Sequence, residues 1–164
     1  MSTVKVRQRA PQFELASMDG KKHGLEEALA RGPVLLAFFK VECPVCQYTF
    51  PFIERLYQQF RGQGVQIWGI AQDDARDSRR FAKEYGVTFP VLIDDYPYKT
   101  SREYGLKYVP TLLLLHPDGH VKLVSEGFAK AALVEIQRLL AKHFSVTPPE
   151  LFHARDGVPE FKPG

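Results

Sequence analysis

Cysteine is nearly absent from this chain of 164 residues: there are two, both inside the segment Cys43-Pro44-Val45-Cys46. A secreted scaffold held by disulfides spreads an even set of cysteines along the chain to close loops, so that class is excluded. Two thiols separated by two residues staple nothing, and their use is chemical or metal-binding. Long hydrophobic runs are also missing. No stretch approaches the roughly 18 apolar residues that a membrane span needs. The basic, polar opening MSTVKVRQRAPQFEL has no hydrophobic segment behind it to make a signal peptide, and on that ground a cytoplasmic address is expected, a periplasmic one only if a leader was removed. Charge of one sign is scarce as well. The net charge is +3 and no block of Lys and Arg forms a phosphate-binding stripe, so nucleic acid is not an expected partner. Internal repeats are lacking, and nothing marks a second domain.

What the chain does have is apolar bulk. It is 45% hydrophobic, with twelve Phe and seven Tyr, enough for one domain around an aromatic-rich core. Residues 1–10 read as a loose arm, 11–144 as the folded body and 145–164 as a proline-containing tail, either draped on the body or disordered. Within the body, Phe13 to Leu15 and His23 to Leu25 flank a turn and predict a small hairpin. A short helical turn over 26–30 ends at Gly32-Pro33. The apolar run 33–39 predicts a fully buried strand. Apolar residues at three- and four-residue spacing predict helices over about 44–61, 76–85 and 130–144, with a shorter one over 98–104. Asp73 or Asp74 is expected to cap the second of these. Residues 65–71 and 89–93 read as further strands, and 111–116 with 120–125 as a hairpin. Strands alternating with helices of this length argue for an α/β sandwich with a mixed sheet.

Cys43 closely follows the buried strand and stands at a helix start, where exposed N–H groups favour a thiolate. Pro44 suits the first helical position, because the N–H it lacks has no helical partner there. Cys46 lies nearly one turn on, on the same face, where its thiol can attack a mixed disulfide formed on Cys43. A C-x-x-C is equally half of a zinc site. Zinc needs two more ligands, and there is no third Cys. The five His form no H-x(3–5)-H pair on a helix, since His116 and His120 straddle a hairpin turn. No metal is therefore expected, and no cofactor beyond the two sulfurs.

Four separated features resemble the thioredoxin superfamily in order: the apolar strand running into the C-x-x-C, Pro51 inside the following helix, the stretch Tyr104 to Leu115 around Pro110, and Gly127 before a terminal helix bearing Lys130 and Leu133. A proline inside a helix costs about 3 kcal/mol and wants a reason. The N-terminal hairpin and an extra helix–strand unit near 75–93 are similar to the TlpA-like and peroxiredoxin-like (AhpC/TSA-related redoxin) branch. The resemblance implies a thioredoxin-like three-layer α/β/α sandwich and a thiol–disulfide oxidoreductase. It implies Cys43 as attacking nucleophile, Cys46 as resolving thiol, and a cis Pro110 whose loop, through Val109, contacts the substrate. The implied partners are protein or small-molecule disulfides and a thiol reductant such as thioredoxin reductase or glutathione.

The chain departs from that pattern at the positions that tune the site. Glu42 replaces the Trp before the first cysteine, and an anion there disfavours a thiolate if it points inward. Ala37 stands where thioredoxin has a buried carboxylate, and Thr49 where TlpA-like proteins often have Glu. Lys40, Glu42, Pro44 and Val45 are the remaining candidates for tuning. Reduction and oxidation of substrates both fit these residues, and only the cytoplasmic address favours reduction. Two rival functions remain in view. A peroxiredoxin would use Cys43 as peroxidatic thiol, but Lys40 stands where such enzymes carry Thr or Ser. A metal-carrying or chaperone-like module would share the scaffold without turnover.

Overall fold

A computed structural model describes residues 3–164. Its elements, in chain order, are β1 (Glu14–Ala16), β2 (Lys22–Gly24), α1 (Leu25–Leu29), β3 (Val34–Phe39), α2 (Pro44–Phe60), β4 (Gln66–Ala71) and α3 (Ala75–Tyr85). There follow β5 (Val91–Ile93), α4 (Lys99–Glu103), β6 (Thr111–Leu115), β7 (Val121–Glu126), β8 (Phe128–Ala129), α5 (Lys130–Phe144) and β9 (Phe161–Lys162). The central sheet has the order β5-β4-β3-β6-β7, with β3, β4 and β5 parallel and β6 and β7 antiparallel to their neighbours.

β3 is apolar throughout because it is covered on both faces. Its side chains alternate between layers: Leu35, Ala37 and Phe39 pack into a core under α2, α3 and α5, while Val34, Leu36 and Phe38 pack into a second core. That second layer is thinner than three full helices. It is built from the five-residue α1, Tyr104 just past α4, the β1–β2 hairpin and the segment before it. The hairpin is fixed to the β5 edge, where Met18 N–H donates to Val91 O at 2.8 Å.

On the thicker side, Phe39, Phe50, Phe81 and Phe89 meet ring to ring, with centroids 4.3–5.8 Å apart. Gly69 makes room for them, since a Cβ there would lie 3.2 Å from Phe39 and 3.3 Å from Phe50.

Two expectations about the chain ends are corrected or decided. Of the expected arm 1–10, residues 1 and 2 lie outside the described residues and the rest is not loose: Val4 donates to Tyr104 O, Arg7 to Val121 O and Ala10 to Gly119 O, and Val121 donates back to Gln8 O, all at 2.8–2.9 Å. This segment pairs with the start of β7 at Val121 and bridges to His120 just before it. The tail is draped on the body. Leu151 and Phe152 enter the core, Phe152 lies 5.0 Å from Phe52, and Arg55 forks onto the Asp156 carboxylate at 2.8 and 2.9 Å.

Candidate active site

β3 and β4 run parallel and end side by side at Phe39 and Ala71, so the loops that follow them share one end of the sheet. Crevices beyond the carboxyl ends of parallel strands are where α/β folds place their chemistry. The loop after β3 carries Lys40 to Cys43 and feeds α2. Cys43 is its N-cap residue, with Pro44 at the first helical position. The Cys43 sulfur takes the role a Ser or Asp oxygen has in other caps and accepts the Cys46 N–H at 3.1 Å. Gln47 N–H donates to Cys43 O at 3.0 Å, closing the first turn.

Across the site stands the loop before β6. Its Val109–Pro110 peptide bond is cis, and Val109 O faces the Cys43 thiol, which donates to it at 3.5 Å. Pro110 is buried and Val109 half-buried. The structure thus gathers Cys43, Cys46, Val109 and Pro110 at one place.

The two sulfurs differ in setting. Cys43 is partly open to solvent, whereas Cys46 is fully buried behind it. Burial, and after it the hydrogen bond with Cys43, push the Cys46 thiol far above the ordinary thiol range.

The tuning candidates divide. Pro44 and Val45 build the first turn. Lys40 and Glu42 are exposed, so Glu42 does not press inward on the sulfur. It lines a shallow pocket with Asp77, Arg80 and Glu84. Ala37 is buried in the core and carries no proton. Thr49 is buried, and its hydroxyl donates to Val45 O, four residues back, at 2.6 Å. α2 continues through Pro51 to Phe60.

Of the two expected caps of α3, Asp73 proves to have another role. Asp74 caps α3 by accepting from Asp77 N–H at 2.8 Å, which leaves Asp73 free to reach across to the neighbouring loop. Its carboxylate accepts the Val41 N–H at 2.9 Å, and Gln47 Nε2 holds Val41 O at 2.9 Å. Two side chains thereby pin the turn that presents Cys43. Asp73 also adds a negative field that raises the Cys46 thiol further. The available signal was positional: an acidic residue just past a strand that lies parallel to the cysteine-bearing one.

Among the described residues, no three His, Cys, Asp or Glu side chains converge as a metal ligand set. Among the described residues, no helix is long and apolar enough to cross a membrane.

Comparisons with known proteins agree with this arrangement. The AhpC/TSA family matches residues 6–124. The chain is 32% identical over 130 residues to the thiol-disulfide oxidoreductase ResA of Bacillus subtilis (strain 168), covering 76% of this chain and 69% of that protein. Among solved structures, the thioredoxin domain of a thiol-disulfide oxidoreductase from Bacteroides vulgatus superposes with a TM-score of 0.74 at 17% identity, covering 84% of this chain and 99% of that one. Peroxidoxin BcpB of Mycobacterium tuberculosis superposes with a TM-score of 0.72 at 22% identity, covering 85% and 97%. At these identities the two structures establish the fold alone.

Proposed function

Since the chain belongs to the AhpC/TSA family and is a thiol–disulfide oxidoreductase, we propose that its chemistry runs through the Cys43–Cys46 dithiol, with Cys43 attacking and Cys46 resolving. One observation carries this assignment. The accessible sulfur of Cys43 accepts the first-turn N–H of Cys46 at 3.1 Å, while the Cys46 thiol sits buried behind it. Cys43 is thus the sulfur a substrate can reach, with Cys46 placed to attack it in turn.

Cys43, having lost its proton, attacks one sulfur of a substrate disulfide. A mixed disulfide forms, and the other substrate sulfur leaves and takes up a proton. Cys46 then gives up its proton and attacks the Cys43 sulfur, and the second substrate sulfur leaves as a thiol. Two electrons and two protons pass to the substrate, and the protein holds a Cys43–Cys46 disulfide. A thiol donor, such as thioredoxin reductase or glutathione, returns it to the dithiol, and the same steps reversed oxidise a substrate dithiol. Val109, whose carbonyl already faces Cys43, supplies a backbone contact to the substrate chain. Protein and small-molecule disulfides are the substrate class.

The high proton affinity of Cys46 serves the sequence of events. A buried thiol that stays protonated cannot compete with Cys43 for the incoming disulfide. It acts only once Cys43 is tied up beside it. A redox titration of the pair against glutathione tests the reading: a single two-electron transition that vanishes in Cys43→Ser is expected, and thiols that form no reversible disulfide would overturn it.

A further inference from the structure

A substrate chain that contacts Val109 needs the space beside that residue, and in this structure the chain's own tail fills it. β9 pairs antiparallel with β8, with Phe128 opposite Lys162 and Ala129 opposite Phe161. Lys130 N–H donates to Glu160 O at 2.9 Å, extending the pairing. Past β9 the chain turns down onto the Val109–Pro110 loop. Gly127, at φ +78°, allows this approach: a Cβ there would lie 2.5 Å from Lys162 O and 3.0 Å from Gly164 N. At Gly164 a Cβ would overlap the Val109 carbonyl oxygen. That oxygen is the one 3.5 Å from the Cys43 sulfur. On the other flank, Lys162 Nζ lies 4.7 Å from the ring centre of Tyr48, two residues beyond Cys46. The segment therefore lies beside the site, between the cis-proline loop and Tyr48 of α2.

We propose that residues 159–164 occupy the strand position beside Val109 that a polypeptide substrate would take, so that the folded chain admits small disulfides to Cys43 and accepts an extended protein chain only when this segment swings away. The inference rests on the dithiol reading above and assigns a specificity element to that site.

The way the segment is held suits a strap that opens. Its firm anchors, the Arg55–Asp156 fork and the buried Leu151 and Phe152, all lie before residue 159. Beyond them the hold is a two-residue ladder, the Lys130–Glu160 hydrogen bond, one cation over a ring and backbone packing on Gly127 and Val109, and Phe161, Pro163 and Gly164 are exposed. Opening therefore breaks few contacts and leaves the core intact. A substrate that binds only the open form sees its apparent affinity reduced by the open fraction.

Steady-state turnover of two disulfides tests this, with dithiothreitol supplying two electrons and two protons per cycle. The probes are insulin, an extended protein substrate, and bis(2-hydroxyethyl) disulfide, a small one. Removing residues 159–164 is expected to raise kcat/KM for insulin about tenfold, as for a site open about one-tenth of the time, and to leave the small disulfide within about twofold. Gly164→Leu, which crowds the Val109 oxygen, and Lys162→Glu, which loses the Tyr48 ring, test the same point in the full chain. Both are expected to raise insulin turnover, by less than the truncation does. They decide the matter if the shortened chain loses its near-ultraviolet circular dichroism. Unchanged insulin turnover in folded variants, or an equal rise on both substrates, would overturn the strap. Failure of the full chain to turn over either disulfide contradicts the dithiol reading itself.

Discussion

Cys46 shows how far a side chain's surroundings can move its chemistry. Burial and the neighbouring Cys43 hold its proton, and the Asp73 carboxylate adds to the effect. In Cys43→Ser, alkylation of Cys46 by iodoacetamide is therefore expected to stay slow through the pH range where a free thiol becomes reactive and to rise only well above it. A profile centred on the ordinary thiol value of 9.0 would contradict this. Asp73→Asn separates two roles, because an amide oxygen can still accept the Val41 N–H while the charge is gone. Combined with Cys43→Ser, it is expected to move the Cys46 alkylation profile to lower pH, and an unmoved profile would show that the field of Asp73 does not reach the sulfur. The pair of cysteines was legible from its spacing, and Val109 and Pro110 from the resemblance of the stretch Tyr104 to Leu115 to the thioredoxin family's. The role of Asp73 was not, since it depends on a contact 32 residues away across two parallel strands.

At the scale of elements, the same distinction decides what could be read. The run 34–39 emerges as β3 and the periodic stretch 130–144 as α5, because each carries its own hydrophobic pattern. β8 and β9 escaped the reading: two residues each have no period, and their partners lie more than thirty positions apart. Packing between elements is tight at Gly69, where three aromatic rings close over the β4 backbone. Gly69→Ala is expected to cost about 1–3 kcal/mol through overpacking, read as a lower urea midpoint at unchanged slope. Stability equal to wild type would show that the Phe39–Phe50–Phe89 cluster yields more readily than its contacts indicate. The two faces of the sheet also separate function from support. Trp68, the sole tryptophan, is buried on the face opposite α2, against Phe13 and His23. Its fluorescence is expected to stay the same when the cysteine pair is oxidised, and a large change would mean that oxidation moves the sheet.

The whole molecule is tied together by its two ends. Residues 3–10 tie the start of β7 to the end of α4, and 145–164 run along α2 and α5 to the mouth of the site. Neither arrangement could be read from local pattern, because the ends have no periodicity and most of their partners belong to elements distant in sequence. The tail anchor has a pH signature. The Arg55 guanidinium, followed by the backbone N–H of His153, holds the Asp156 carboxyl far below the usual carboxylate range. A lowered folded value means that this stabilisation is present above the ordinary carboxylate pKa and is lost as pH falls through the folded one. Amides of 151–162 are therefore expected to lose hydrogen-exchange protection at strongly acid pH, and in Asp156→Asn already at neutral pH; protection unchanged in the variant would show that Phe152 alone holds the tail. The division of labour between the two sulfurs is the centre of the account, and trapping tests it most directly. Cys46→Ser, incubated with a disulfide substrate and analysed by intact mass, is expected to accumulate one mixed disulfide through Cys43, while Cys43→Ser accumulates none. A mixed disulfide on Cys46, or none in either variant, would contradict it.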